Sequence, residues 1–533
     1  MTDWRGTTFQ VRLGPPGHGG FCVARHEGRV VFVRHGLPDE LVRLRVTEDR
    51  GGSFCRADAI EILEASPDRI PATCPVSGPG GAGCCDFSFA TPAAQRALKA
   101  AVVAEQLRRI AGIERDITVR PIAGYPADST GGWRTRVRLA VDGNGHAGVH
   151  GYRSTGVITD LRCPQPVSGA MDGIGDRLWT PGADLVIAVD GDGMRHIVEL
   201  APSAVAGRAE RGGERPAARG EDRRGGRGAN RRAGASDRDH RGGRSGAGRG
   251  RDGRRGRADR GGDPQWRRID DRDVGRDRPG GDDRGGAGRD HRDDDRSSGR
   301  GRARDIGDHE ADQLGSTGHE GDRRRASARR AAAHAARDEW VHGGSGRTVE
   351  YVAGRRWELS ATGFWQAHHG AAQCYSDLVA EWAGLGYGER AWDLYSGVGV
   401  FAARLADQVG PTGSVLAVES ARSAVADGNA ALRDLPWLDL RARRVEHWLA
   451  DHASSVAPDV VVLDPPRAGA GKDVVTAVAT SGPARIIHVG CDPASFARDL
   501  GLYQAAGYHL ADLRAFDAFP ATHHVECLAL LER

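Results

Sequence analysis

The stretch Asp393-Leu394-Tyr395-Ser396-Gly397-Val398-Gly399 has the pattern of a strand that runs into a glycine turn and then into a helix. Glycine allows the backbone to approach a ligand closely. Glu419 ends the next apolar strand, 20 residues after Gly399, and a carboxylate at that distance can accept hydrogen bonds from a ribose diol. The pattern favours a nucleotide-like cofactor site. A dinucleotide-binding dehydrogenase would look similar, usually with a third glycine, and a tight turn without a ligand is the purely structural alternative.

Apolar segments around this stretch alternate with helical windows. They are Trp392–Tyr395, Val415–Val418, Val460–Leu463, Ile486–Val489 and Cys527–Leu531. Such alternation predicts an α/β domain with a parallel sheet and helices on both faces. Ligands bind at the carboxyl ends of the strands in such sheets. Four residues lie at or just beyond strand ends: Asp393, Glu419, Asp464 and Cys491.

The tetrapeptide Asp464-Pro465-Pro466-Arg467 follows one of these strands. The two prolines fix the backbone and can continue neither a ladder nor a helix interior, so they hold Asp464 at the end of the strand. The tetrapeptide resembles the Asp-Pro-Pro motif of methyltransferases that act on nucleic-acid bases. The alternative is a simple break between strand and loop.

Cys491 precedes a helical window in which Asp492 can cap the helix and Pro493 suits the first turn. A thiol at a helix N-terminus is expected to have a lowered pKa, although the carboxylate of Asp492 partly opposes this. The sequence therefore predicts a reactive thiol. A buried apolar cysteine is the alternative.

Glu526 begins an otherwise apolar strand. A carboxylate that enters a core strand should have a raised pKa because it loses its water, and a general base near neutral pH needs such a pKa. The alternative is an edge-strand glutamate that faces water.

The middle of the 533-residue chain is a run of Arg, Gly and Asp from about residue 206 to 337. It holds too few apolar residues to offset the entropy cost of ordering. The segment 203–346 is therefore predicted to be a disordered insertion. It has two interpretations: an Arg/Gly-rich tether that binds RNA phosphates, or the product of out-of-frame translation of GC-rich DNA, in which case strands of the neighbouring domain are missing.

The first 65 residues have several short strands at regular spacing with turn signals between them, as in a small β-barrel. The pattern from Gly19 to Glu40 resembles a TRAM domain, an OB-like RNA-binding barrel. Residues 66–202 predict an α+β central domain, with a helix at about 92–110, strands at 134–141 and 146–152, and a hairpin of 185–189 with 196–200.

Four motifs together resemble those of the RNA 5-methyluridine methyltransferase family. They are Asp393–Gly399, Asp464–Gly469, Gly490–Leu500 and Thr522–Glu526. In addition, the segment Phe364-Trp365-Gln366 is similar to the Phe-x-Gln segment of the family. The chain departs from the family at Gly490 and Asp492, where Ser and Asn are common, and at Val400, where Asn is common.

The resemblance implies a Rossmann-like, class I, S-adenosylmethionine-dependent methyltransferase domain at 347–533. It implies that Cys491 is the nucleophile and Glu526 the base that removes a C5 proton. It also implies a cofactor site that comprises Gln366, Tyr395, Gly397, Gly399, Glu419 and Asp464.

The loop Cys74–Asp86 and Cys163 resemble the iron–sulfur ligands of many family members. The resemblance implies a [4Fe–4S] cluster on Cys74, Cys84, Cys85 and Cys163. The spacing departs from that of the family, because Cys84 and Cys85 are adjacent. The alternative is a lost cluster whose loop remains.

The chain has nine cysteines, no apolar stretch of membrane-spanning length and no secretory signal pattern. These features predict reduced thiols and a cytoplasmic protein without a membrane span. The expected partner is an rRNA or tRNA loop, and the expected state is a monomer. Two alternatives stay open: a cytosine-5 RNA methyltransferase, and an RNA-binding protein with an inactive catalytic domain.

Overall fold

The computed structural model describes residues 3–203, 337–452 and 457–533. The predicted insertion therefore lies mostly outside the described residues. No helix in these three ranges is long and apolar enough to cross a membrane.

The N-terminal domain is one six-stranded sheet in the order β1-β5-β6-β4-β3-β2. Its strands are β1 Thr8–Arg12, β2 Pro16–Gly17, β3 Phe21–His26, β4 Arg29–Arg34, β5 Leu41–Asp49 and β6 Phe54–Glu64. The pairs are antiparallel except β4 with β6, which is parallel. Residues alternate between the two faces, and the inward set, which includes Cys22, Val31 and Cys55, forms a separate apolar core. The predicted all-β domain is confirmed.

The central domain begins with helix α1, Pro92–Gln106, which Thr91 caps and a π-helical turn extends. Its sheet is antiparallel throughout, in the order β10-β9-β8-β11-β12-β13. A short strand, β7 (Val119–Pro121), follows this helix and pairs with a strand of the C-terminal sheet instead. The other strands are β8 Arg136–Val141, β9 Ala147–His150, β10 Val157–Ile158, β11 Asp184–Val189, β12 Arg195–Leu200 and β13 Glu339–Gly343.

Strand β13 corrects the C-terminal end of the predicted insertion. Glu339–Gly343 falls inside the range 203–346 but pairs with β12. The Arg/Gly/Asp composition stops before this strand, and pairing with β13 gives the backbone groups of β12 hydrogen-bond partners.

The C-terminal domain holds an eight-stranded sheet in the order β18-β17-β16-β19-β20-β22-β21-β7, with a separate hairpin of β14 and β15. Its strands are β14 Arg347–Val352, β15 Arg355–Ser360, β16 Arg390–Leu394, β17 Ser414–Glu419, β18 Leu438–Ala442, β19 Val460–Leu463, β20 Arg485–Gly490, β21 His509–Asp517 and β22 Glu526–Glu532. Its helices are α2 Ala371–Ala383, α3 Val400–Val409, α4 Arg422–Ala431, α5 Val445–His452, α6 Gly471–Ser481 and α7 Pro493–Ala505. Apolar clusters cover both faces of the sheet, which confirms the predicted α/β class.

The predicted parallel sheet is present in five strands, and the last strand departs from it. Strands β18, β17, β16, β19 and β20 are parallel, whereas β22 is antiparallel to both β20 and β21. The reversal follows from the short connection between β21 and β22, because a connection of this length suits antiparallel neighbours whereas parallel strands need a longer crossover. The start of β22 therefore lies at the same edge of the sheet as the end of β20.

Candidate active site

The reversed strand brings Cys491 and Glu526 together. Gly490, the last residue of β20, pairs with Cys527 of β22. One step further, Cys491 follows Gly490 and Glu526 precedes Cys527, so the thiol and the carboxylate lie side by side across the strand pair. Asp464 follows β19, whose Leu463 pairs with His488 of β20. Three predicted site residues therefore share one edge of the sheet.

The environment of Cys491 corrects the expected low pKa of its thiol. The pKa of the thiol is raised to about 12, mainly by burial and also by the charges of Glu526 and Asp464, while Arg467 acts in the opposite direction. Loss of water and two carboxyl groups therefore outweigh the helix N-terminus on which the sequence argument depended. In the free protein, the Cys491 thiol is neutral near pH 7.

Glu526 is 4% exposed and is the buried carboxyl of the site. Burial and the charge of Asp464 hold its pKa well above the usual range, and Arg467 lowers it. Burial also raises the pKa of Asp464, to about 7. The predicted rise for Glu526 is confirmed. Two carboxyl groups so close together are expected to share a proton.

Arg467 is a cation that lowers the pKa of both Cys491 and Glu526. Its backbone carbonyl accepts a hydrogen bond from the Ser495 hydroxyl at 2.8 Å, which ties the proline loop to the helix after Cys491. Its guanidinium lies 3.4 Å from His524 Nε2. Arg467 was not predicted as a site residue, although its place directly after the two prolines was a usable signal.

Asp492 caps helix α7 as predicted, because its carboxylate accepts the Ser495 N–H at 2.9 Å. The other carboxylate oxygen lies 2.9 Å from His18 Nε2, on the N-terminal domain. Burial tends to raise the pKa of Asp492, but the bonds from His18 and Ser495 lower it to about 2. The contact with His18 joins residues 474 positions apart, and no local sequence signal could have found it.

The glycine turn lies at the end of β16, one strand away from this group. Tyr395, Gly397 and Gly399 all have left-handed backbones, with φ of 63°, 56° and 82°. Space is open beside Gly397, whereas a side chain at Gly399 would meet Leu432. The left-handed conformation of Tyr395 strains the backbone, and such strain is found mainly at functional sites.

Two carboxylates hold the turn in shape. Glu419 accepts hydrogen bonds from the N–H groups of Gly397 at 3.2 Å and Ala421 at 2.7 Å. Asp393 is fully buried, accepts the Ala402 N–H at 2.8 Å, and has a pKa that burial raises to about 8. Strand register places Glu419 and Asp393 on neighbouring parallel strands. The turn is thus a cradle of glycine backbone and carboxylates, which suits a ribose diol.

The Phe364-Trp365-Gln366 segment follows the β14–β15 hairpin. Trp365 is buried against Trp357, with ring centroids 6.3 Å apart. Phe364 is 75% exposed, and Gln366 is half-buried. The buried tryptophan therefore anchors a segment whose two flanking side chains reach solvent.

The four cysteines of the predicted iron–sulfur site come together, with the Cys85 thiol within hydrogen-bonding distance of Cys74, Cys84 and Cys163. Gln165 also donates to Cys85 Sγ at 3.2 Å. In the described ranges, no group of three or more His, Cys, Asp or Glu side chains is arranged to hold a metal ion. The iron–sulfur prediction is therefore not supported.

Comparisons with known proteins give consistent matches. A model described as tRNA (uracil-5-)-methyltransferase matches residues 443–533, and the TRAM domain model matches residues 4–59. An uncharacterised RNA methyltransferase of Streptomyces avermitilis is 35% identical over 99% of this chain and 98% of its own length. One from Streptomyces coelicolor is 36% identical over 99% of this chain and 93% of its own.

The solved structures include a similar fold across almost the whole chain. The Pyrococcus abyssi tRNA (uracil-54, C5)-methyltransferase, solved with S-adenosyl-L-homocysteine, matches with a TM-score of 0.56 and 16% identity. The match covers 98% of this chain and 100% of that structure. At this identity the likeness concerns the fold.

Proposed function

Because the chain belongs to the RNA 5-methyluridine methyltransferase family, we propose that it transfers a methyl group to C5 of a uridine in rRNA or tRNA through a covalent adduct on Cys491. The coarser activity, S-adenosylmethionine-dependent methylation of RNA, follows from family membership. The observation that carries the finer proposal is the pairing of β20 with β22, which sets a thiol beside a buried carboxyl. We expect a cytoplasmic monomer.

The first chemical step is addition of the Cys491 thiolate to C6 of the uracil ring. C5 of uracil is a poor nucleophile, and a new S–C6 bond moves electrons onto C5 and the O4 side of the ring. Because the free thiol is neutral, its proton must pass to a base as the ring binds. Asp464, whose pKa burial raises to about 7, is the carboxyl that can take it while Glu526 is kept for the C5 proton. Arg467 is the group that favours the thiolate. The target base must leave its stack to reach the thiol.

The second step belongs to Glu526. When bound, S-adenosylmethionine would supply the methyl group to C5 and leave as S-adenosylhomocysteine, so that C5 carries both a methyl group and a proton. Glu526 accepts that proton, the S–C6 bond breaks, and Cys491 leaves as a thiolate. A raised pKa suits Glu526 to take a proton from carbon near neutral pH.

The cofactor is assigned to the glycine turn. Gly397 and Gly399 let the backbone approach the ligand, and Glu419 can accept hydrogen bonds from a ribose diol. Tyr395 borders the turn. Gln366 and Asp464 are assigned to the space between cofactor and base.

The product of the reaction tests the proposal. The protein, incubated with S-adenosylmethionine and RNA from cells that lack its gene, should form 5-methyluridine, measured by mass spectrometry of the nucleosides. Formation of 5-methylcytidine instead would indicate a cytosine-5 enzyme. Binding of RNA without binding of S-adenosylhomocysteine, measured by calorimetry, would indicate an inactive catalytic domain.

Arg467 should control the acidity of the Cys491 thiol. With a pKa of about 12, the thiolate fraction should rise about tenfold per pH unit between about pH 7 and 9. The rate of Cys491 alkylation by iodoacetamide, followed by peptide mass spectrometry without RNA, should rise in step. Arg467→Gln removes a cation that lowers this pKa, so alkylation should slow several-fold at each pH.

Arg467→Lys is the matched control, since it keeps the charge and should alkylate at nearly the wild-type rate. A plateau of the wild-type rate below about pH 9 would contradict the prediction, because it would mean that the free protein already stabilises the thiolate.

A further inference from the structure

The outer face of the N-terminal sheet carries a cluster of aromatic rings around one arginine. Phe32 lies between Phe21 and Phe54, with ring centroids 6.1 and 5.7 Å away. The guanidinium carbon of Arg56 lies 5.3 to 5.9 Å from all three ring centres. We call Phe21, Phe32, Phe54 and Arg56 the aromatic platform.

Strand register explains why these side chains share one face. Phe32 pairs with Arg56, and Val30 pairs with Phe54, in the parallel contact of β4 and β6. The intervening residues Val31 and Cys55 point inward and are 0% and 1% exposed. Alternation along a strand then sends the aromatic residues to the opposite face.

The platform is accessible at the end that Phe54 forms. Phe54 is 48% exposed, although a large aromatic ring usually gains stability when it is covered. Arg56 has only a loose ion pair with Glu48, at 3.9 Å, and Glu48 also pairs with Arg153 at 2.5 Å. Two arginines that share one carboxylate leave an excess of positive charge beside the exposed ring of Phe54.

The platform is continuous with the active site through a short loop. Phe21 directly follows the segment His18–Gly20. His18 contacts Asp492, the residue after Cys491, and a side chain built on Gly20 would lie 3.3 Å from His523 Cβ. Phe21, itself 9% exposed, therefore connects the exposed end of the platform to the loop that contacts the residue after Cys491.

We propose that the aromatic platform stacks unpaired nucleotides adjacent to the target uridine, with Arg56 beside their phosphates. The proposal rests on the proposed function for the nature of the RNA. Aromatic faces accept any base, because every base has a π-face, and the nearby arginines match the phosphate charge. The platform would thus hold the RNA next to the target without selecting a sequence.

Binding of an unstructured RNA by the full chain tests the platform. The probe is a fluorescein-labelled oligouridylate of about twelve nucleotides, measured by fluorescence anisotropy at several salt concentrations. Phe54→Ala should raise Kd about tenfold or more, since base stacking on an aromatic ring has roughly this effect, and should leave the salt slope unchanged. Arg56→Gln should reduce the salt slope by about one.

Two further variants separate stacking from damage to the fold. Phe54→Trp keeps an aromatic face and should bind as the wild type does. Ile60→Ala removes another exposed apolar side chain of β6 and should leave Kd unchanged. Thermal unfolding should show all variants folded, because Phe54 is half exposed.

The platform would be refuted if folded Phe54→Ala and Phe32→Ala variants bound the oligouridylate with the wild-type Kd, or if the wild type failed to bind it. Neither result would contradict the proposed methyl transfer. Formation of 5-methyluridine and binding of S-adenosylhomocysteine are measured without the platform variants, so failure of the reaction is seen independently. A loss of turnover at unchanged Kd would also count against the platform, because it would place the effect on the chemistry.

Discussion

Replacement of Cys491 by alanine should abolish methylation and the covalent complex with RNA that carries 5-fluorouridine at the target position. Fluorine at C5 cannot leave as a proton, so the wild-type adduct should form, accept the methyl group and persist. It should survive denaturing gel electrophoresis. Without the thiol, no S–C6 bond can form, and turnover should fall by on the order of 10³-fold or more.

Cys374→Ala is the matched control for this experiment. Cys374 is a half-buried thiol of the same domain, and its loss should leave the adduct and turnover in place. A Cys491→Ala protein that methylated RNA at the wild-type rate would refute the covalent mechanism while leaving the methyltransferase activity intact.

Replacement of Glu526 by glutamine should trap the enzyme on its natural substrate. The amide keeps the size of the side chain but cannot take the C5 proton. Addition of Cys491 and methyl transfer should therefore proceed, whereas release should slow by about 10²–10⁴-fold, the usual effect of losing a general base. A denaturant-stable complex should accumulate with ordinary RNA and S-adenosylmethionine.

Glu532→Gln provides the control, because Glu532 closes the same strand at the opposite edge of the sheet. That variant should turn over normally and accumulate no complex. Rapid turnover of Glu526→Gln without a trapped complex would assign the base role to another group, with Asp464 the next carboxylate in the site.

The placement of Glu419, Asp464 and Cys491 at one edge of the sheet could be predicted from sequence, because each lies at or just beyond the end of an apolar strand. Apolar runs are a local signal, and the ends of neighbouring strands meet at one edge of a sheet. The direction of β22 was not predictable in the same way, because an apolar run does not show whether its strand will be parallel or antiparallel to its neighbours. The structure shows that this direction decides whether Glu526 reaches Cys491.

The prediction of a lowered pKa for the Cys491 thiol was wrong for a related reason. The helix N-terminus that favours a thiolate is visible in Asp492 and Pro493, whereas burial and the nearness of Glu526 depend on residues far along the chain. The link between His18 and Asp492 likewise comes from a separate domain. The helix cap at Asp492 was therefore predicted from neighbouring residues, whereas the charges that distant residues bring to Cys491 were not.

The antiparallel pairing of β20 with β22 makes the spacing of nucleophile and base a property of the backbone ladder. Both groups are carried by adjacent strands that hydrogen bonds lock together, so no loop has to close to bring them into reach. Because of the same ladder, the proposed reaction would not tolerate a change in the register of the two strands. One residue added inside β22 after Glu526 would slip the register and turn this side chain to the opposite face of the sheet. The fold could survive such a change with a bulge, but the thiol would lose its partner. Across descendants of this chain, we therefore expect this strand to vary in side chains and to stay constant in length.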